Sequence, residues 1–153
     1  PGTRAAPLRS IRRAAQLALD GYEIIVAPGT YSEEVTTDRT GTPAQAVTLR
    51  ADVTGALTGE PAGEVLVDVT GTRNAAGIVL SNSSDSVIDG FRVVGSADAG
   101  IVLKSGSNRV TVRNCEAFDN PGDGIRVQDS SGVRLFNNLV HSNGGRGIAI
   151  VGQ

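Results

Sequence analysis

The residues able to do chemistry are few, and most fall in the second half of the chain. Lys104, Arg126 and Arg146 are cations, Asp119 and Asp123 are carboxylates, and Gln128 is a neutral hydrogen-bonding group beside them. Lys104 is the only lysine. A mixed patch of Lys104, Asp123, Arg126, Gln128 and Arg146 could grip a polar or anionic ligand. Proton transfer from it would need a tuned group with partners. Arg126 and Lys104 are the candidates for that role; the simpler reading is a row of solvated charges. Asp119 and Asp123, with nearby backbone carbonyls, are the candidate Ca²⁺ ligands. Calcium wants roughly six to eight oxygens, so Asp119-Asn120-Pro121-Gly122-Asp123-Gly124 also reads simply as a turn. No other cofactor is suggested. His141 is the sole histidine and falls in an expected turn. Cys115 is the sole cysteine, so no internal disulfide can form, and its place in the pattern is that of an inert buried thiol.

What positions these residues is a repeat. Gly77-Ile78-Val79-Leu80 returns as Gly100-Ile101-Val102-Leu103, Gly124-Ile125-Arg126-Val127 and Gly147-Ile148-Ala149-Ile150, at spacings of 23, 24 and 23 residues. A fixed period of this size marks a solenoid. Within one period, apolar residues alternate in three short β-branched runs divided by turn residues. Between the second and third runs there is room for one residue, filled by Gly90, Asn114 and Asn137, types that tolerate positive φ. Three strands per period describe one rung of a coil. Stacked rungs turn inward positions into columns: Ile78, Ile101, Ile125 and Ile148; Leu80, Leu103, Val127 and Ile150; Ile88, Val112 and Leu135; and a mixed column of Phe91, Cys115 and Asn138. Val79, Val102, Arg126 and Ala149 then form an outward row, flanked by Ser81, Lys104, Gln128 and Val151. Asp98, Asp123 and Arg146 lie in the loop before the strand. Asp89, Arg113 and Phe136 form a second outward row, in which the opposite charges can pair.

The pattern Gly-Ile-x-Val, Ser-x-x-Val-x-Ile, Asn-Asn-x-Val-x-x-Asn resembles the right-handed parallel β-helix repeat of the pectin-lyase-like superfamily. The segment from Val112 to Gly147 carries it best, with its Arg-Asn-Cys and Phe-Asn-Asn turns. The run Ile25-Val26-Ala27-Pro28-Gly29-Thr30-Tyr31 after a short helix looks like the opening of such proteins. The resemblance implies an all-β fold: a right-handed parallel β-helix with three strands per rung and a short N-terminal capping α-helix. In lyases and epimerases of this kind the polymer lies along the first strand and its preceding loop. There Arg126 would neutralise a uronate carboxylate and Lys104 or Arg126 would take the C5 proton. The Asp-Pro-His-Glu motif of the epimerases is absent.

Residues 1–21 read as a linker and the capping helix. Leu8, Ile11, Ala14, Ala15, Ala18 and Leu19 form its apolar stripe, Arg9, Arg12 and Arg13 face water, and Gly21 ends it. Residues 22–153 read as the β-helix, regular from about residue 74 and uncapped at its C-terminal end. About six rungs would make a rod roughly 30 Å long. Residues 36–46 and 52–63 read as polar loops. Charge is nearly balanced, with 14 basic and 16 acidic residues, and shows no basic stripe for nucleic acid. No apolar run is long enough to span a membrane. The chain holds no Met, so Pro1 is expected to follow a removed leader or an upstream part, or to open an excised fragment.

The functional expectation is a secreted or cell-surface β-helix scaffold, or a surface- or glycan-binding module. It would self-associate through its C-terminal end or continue into further rungs. The rival is a polysaccharide lyase or C5-epimerase acting on an acidic, uronate-containing polysaccharide.

Overall fold

The computed structural model describes residues 2–73 and 76–152. A helix, α1 (Ile11–Leu17), is followed by fifteen strands: β1 (Glu23–Val26), β2 (Gly29–Tyr31), β3 (Val35–Thr37), β4 (Val47–Ala51), β5 (Val65–Asp68), β6 (Ala76–Ser81), β7 (Ser86–Asp89), β8 (Arg92–Val94), β9 (Ala99–Lys104), β10 (Thr111–Arg113), β11 (Glu116–Phe118), β12 (Asp123–Gln128), β13 (Arg134–Phe136), β14 (Leu139–His141) and β15 (Ile148–Val151). Every third strand pairs with the next in parallel. Three five-stranded sheets result, ordered β1-β4-β7-β10-β13, β2-β5-β8-β11-β14 and β3-β6-β9-β12-β15. The coil therefore has five rungs, one fewer than the period alone suggests. The difference lies in the second rung, where the loop of residues 52–64 between β4 and β5 takes up about half a period without adding a strand. Thr36 and Thr37, expected in a loop, close β3.

The register confirms the columns. Ile78 pairs with Ile101, Ile101 with Ile125 and Ile125 with Ile148. Val112 lies between Ile88 and Leu135. Ile78, Ile88, Ile101, Val112 and Ile125 form one continuous core with Phe91, Val93, Cys115 and Ala117, Leu135 packs against it half-buried, and Ile148 is exposed. No rung could bury its inner face alone, so stability comes from stacking.

Polar side chains finish the corners. Left-handed backbone recurs in columns: Gly90, Asn114 and Asn137; Gly95, Asp119 and Ser142; Asn82, Ser105 and Asp129; Asp85, Arg109 and Gly132. Asn and Asp dominate because their short polar side chains support that conformation locally. Asn138 donates to the Val112 carbonyl and accepts from the Cys115 N–H, which satisfies an amide inside the core. Asn143 serves Asn120 and Ala117 in the same way.

α1 covers the first rung. Ile11, Ala15 and Ala18 are its buried face. Ser10 caps it, with its hydroxyl accepting from the Arg13 N–H. Glu33 accepts from both the Ser10 hydroxyl and the Ile11 N–H, pinning the start of α1 to the first rung. The helix is shorter than its apolar pattern. It ends at Ala18, whose backbone is already extended; Leu19 is exposed, and Gly21 shapes a following turn.

Candidate functional site

The third sheet carries the candidate patch. β6, β9 and β12 are the longest strands, with six residues each. Alternation along β12 sends Ile125 and Val127 inward and Arg126 and Gln128 outward. The register sets Arg126 between Val102 and Ala149, and Gln128 beside Val151. Lys104 pairs in register with Ser81.

This outer face is not the open row that alternation suggests. Val79, Val102 and Ala149 are buried although they point outward. Ala76, Val79, Ala99 and Val102 form a second apolar cluster on that side. Arg126 helps to build it. Its guanidinium reaches back one rung to the Asp98 carboxylate and backbone carbonyl, which lays its stem along the Val102 position.

Arg126 and Asp123 are committed to each other. Arg126 Nε lies 3.0 Å from Asp123 Oδ2 and also pairs with Asp98. The other oxygen, Asp123 Oδ1, accepts the Arg146 backbone N–H at 2.8 Å, with the Arg146 guanidinium 3.6 Å away. Burial alone would raise the Asp123 carboxyl; the Arg146 amide and the Arg126 and Arg146 charges outweigh it and hold the group below its usual value. Burial likewise works against the Arg126 charge, but Asp98 and Asp123 hold the guanidinium above its usual range. A guanidinium in this state is a structural cation and a poor proton acceptor.

The patch therefore divides. Asp123, Arg126 and Arg146 come together with Asp98 as an ion-pair network. Lys104 and Gln128 stand at the far ends of their strands, both exposed. Among the described residues Lys104 forms no ion pair, while Gln128 hydrogen-bonds to its neighbour Asp129. The candidate calcium pair, Asp119 and Asp123, falls on a corner and on the start of β12. Asp119 occupies a left-handed corner, with φ 48°, and Asp123 has both oxygens in use. Among the described residues no three His, Cys, Asp or Glu groups gather as a metal site.

A second cluster, unrecognised in the sequence, lies on the outside of the sheet containing β11. Arg92 bridges Glu64 and Glu116, while the Glu116 Oε1 atom meets His141 Nε2 at 2.9 Å. The Arg92 guanidinium carbon lies 4.6 Å from the Phe118 ring centre. His141 stacks on Phe118 at 5.7 Å with 13° between the rings. β8 and β14 flank β11, so Phe118 is held between Arg92 and His141. His141 thus ends a strand rather than occupying a turn. Arg92 first, then His141, hold the Glu116 carboxyl below its usual range. The signal was present in the spacing: Arg92 and Glu116 are 24 residues apart, and Phe118 and His141 are 23 apart. Arg113 with Asp89 and Arg109 with Asp85 follow the same rule.

Compared with known proteins, residues 56–153 match the family model described as the right handed beta helix region. No curated protein and no solved structure gives a significant match. The family match runs from the loop before β5 to the last strand, which is more than half of the chain, and the rungs it spans stack in three parallel sheets: the chain belongs to the right-handed β-helix family.

Proposed function

We propose that this chain is a rigid β-helical scaffold segment whose last rung receives a further rung, from the same protein or from a second copy. One observation carries the reading. In the fifth rung Ile148 and Ile150 are 49% and 78% exposed, while Ile125 and Val127, directly beneath them in the same columns, are 0% and 4% exposed. The core is dry up to that rung and bare on it. Bare strand edges above an apolar stack favour association. Ion pairs that tie one rung to the next, such as Asp89 with Arg113 and Asp98 with Arg126, support the scaffold reading.

Light scattering over a concentration series tests stacking of copies. Self-association that Ile150→Lys abolishes would support it. A monomer at every concentration would remove it and leave continuation along one chain.

A glycan-binding role has one observation in its favour, the Lys104 ammonium, without an ion-pair partner among the described residues, beside Gln128 on an exposed strand end. Retention on alginate, pectin or glycosaminoglycan, lost in Lys104→Ala, would support it. A lyase on the same polymers would release ultraviolet-absorbing unsaturated product. The double pairing of Arg126 weighs against that chemistry. A location outside the cytoplasm is proposed on the family resemblance alone.

A further inference from the structure

At the other end of the rod, β1 forms the floor of a groove of about 440 Å³. One wall is α1, through Ile11, Ala14 and Leu17; the other is the loop of residues 52–64, through Leu57 and Thr58. The volume falls within the range of specific binding sites.

The floor is a half-used strand. β1 pairs on one side only, with β4. The Thr48 N–H donates to the Tyr22 carbonyl and the Asp52 N–H to the Val26 carbonyl. In a parallel pair, residues of one parity bond to the neighbour and the others face away. Tyr22, Ile24 and Val26 therefore serve β4, and the N–H and C=O of Glu23 and Ile25 turn toward the groove. No described residue pairs with them. α1 lies mainly over β3, so it closes the core without closing this edge.

The rim is apolar and exposed at Leu17, Tyr22, Ile25 and Leu57. Its charges are three. Glu23 is paired with Arg50, and Arg4 donates to the Thr58 carbonyl without a carboxylate partner; among the described residues Glu60 is the lining charge with neither a hydrogen bond nor an ion pair. A site with unpaired strand groups along its floor, apolar walls and one free carboxylate has the complement of an extended peptide that carries a cation.

We infer that the β1 edge is a docking groove for an extended segment of another protein, which adds a strand to the first sheet and sets a Lys or Arg against Glu60. Backbone pairing with Glu23 and Ile25 supplies the contact, the apolar rim takes alternate side chains, and Glu60 selects charge.

The test uses three synthetic octapeptides titrated into the isotope-labelled chain and followed by NMR. One alternates Val and Thr around a central Lys, the second has Glu in place of Lys, and the third is interrupted by Pro. The Lys peptide is expected to shift the Glu23 and Ile25 amides and slow their exchange; the Pro peptide leaves them unchanged. Ile25→Pro removes an N–H that no strand uses, so the rod keeps its melting profile while the Lys peptide binds about tenfold more weakly or not at all. Glu60→Lys, on an exposed loop, is expected to reverse the preference toward the Glu peptide. The inference is overturned by unchanged β1 amides at millimolar Lys peptide, or by full binding to a folded Ile25→Pro variant, which would indicate a pocket for a small apolar molecule. An unaltered charge preference in Glu60→Lys also overturns it, as does self-association lost on Ile25→Pro, which would place a second copy in the groove.

Discussion

Asp123 is only 4% exposed, yet it remains ionised because every lone pair it turns inward meets a donor or a cation. Its folded value is depressed, so its contribution to stability is complete above the unfolded aspartate value of about 3.9 and is lost as pH falls toward the folded value. Glu116, also depressed, acts with the same sign. Acid titration of the folded rod should therefore show stability falling below about pH 4, with a shallower fall in Asp123→Asn. At neutral pH that variant should lose about 1–3 kcal/mol in denaturant melts, since the amide offers one uncharged acceptor oxygen to Arg126 and the Arg146 N–H and turns an NH₂ donor toward the other. Cys115 behaves oppositely. Burial pushes its thiol up to about 11. Iodoacetamide at pH 8 should leave it unmodified in the native rod and label it quickly after unfolding. An appreciable native labelling rate would show that the fourth rung opens.

The repeat was legible at the scale of the element. Alternating Ile and Val, spaced by one period, fixed the strands, their inward faces and their register. The reason is physical: columns need like residues at like places. The recurring Gly before each Ile is explained only by coordinates. A Cβ at Gly124 would lie 2.3 Å from a Val140 methyl and 2.6 Å from the Gly147 carbonyl; at Gly147 the nearest atom is 3.7 Å away. Gly124→Ala should cost about 1–3 kcal/mol by thermal or chemical denaturation, and Gly147→Ala close to nothing. Equal costs would mean that the glycine serves the backbone rather than the space beside it. The first two rungs were less legible because loops break their period. In the loop of residues 52–64, Asp52 fixes the chain by accepting from the Leu57 and Thr58 amides and the Thr54 and Thr58 hydroxyls. Nothing in the spacing announces that knot. The candidate site was half legible. Position along the strand placed Arg126 and Lys104 outside, but Asp98, 28 residues away, and Asp123, three away, lock Arg126, while Lys104 has no ion-pair partner among the described residues.

Across the whole molecule, charge is arranged as stitching. Pairs on all three faces join successive rungs: Glu23 with Arg50, Asp89 with Arg113, Arg92 with Glu116, and Asp98 with Arg126. Each exposed pair is worth little alone, about 0–1 kcal/mol. Together they favour one register over slipped alternatives, because a one-residue slip would set side chains on the wrong face.

The helix that lies over the first rung has a consequence for how the rod comes apart. In the isolated chain α1 covers the first rung while Ile148 and Ile150 of the fifth are exposed, so unravelling has a direction. Amide protons in β13 to β15 should exchange first, those in β10 to β12 next, and those beneath the helix last, like a zipper with its stop at one end.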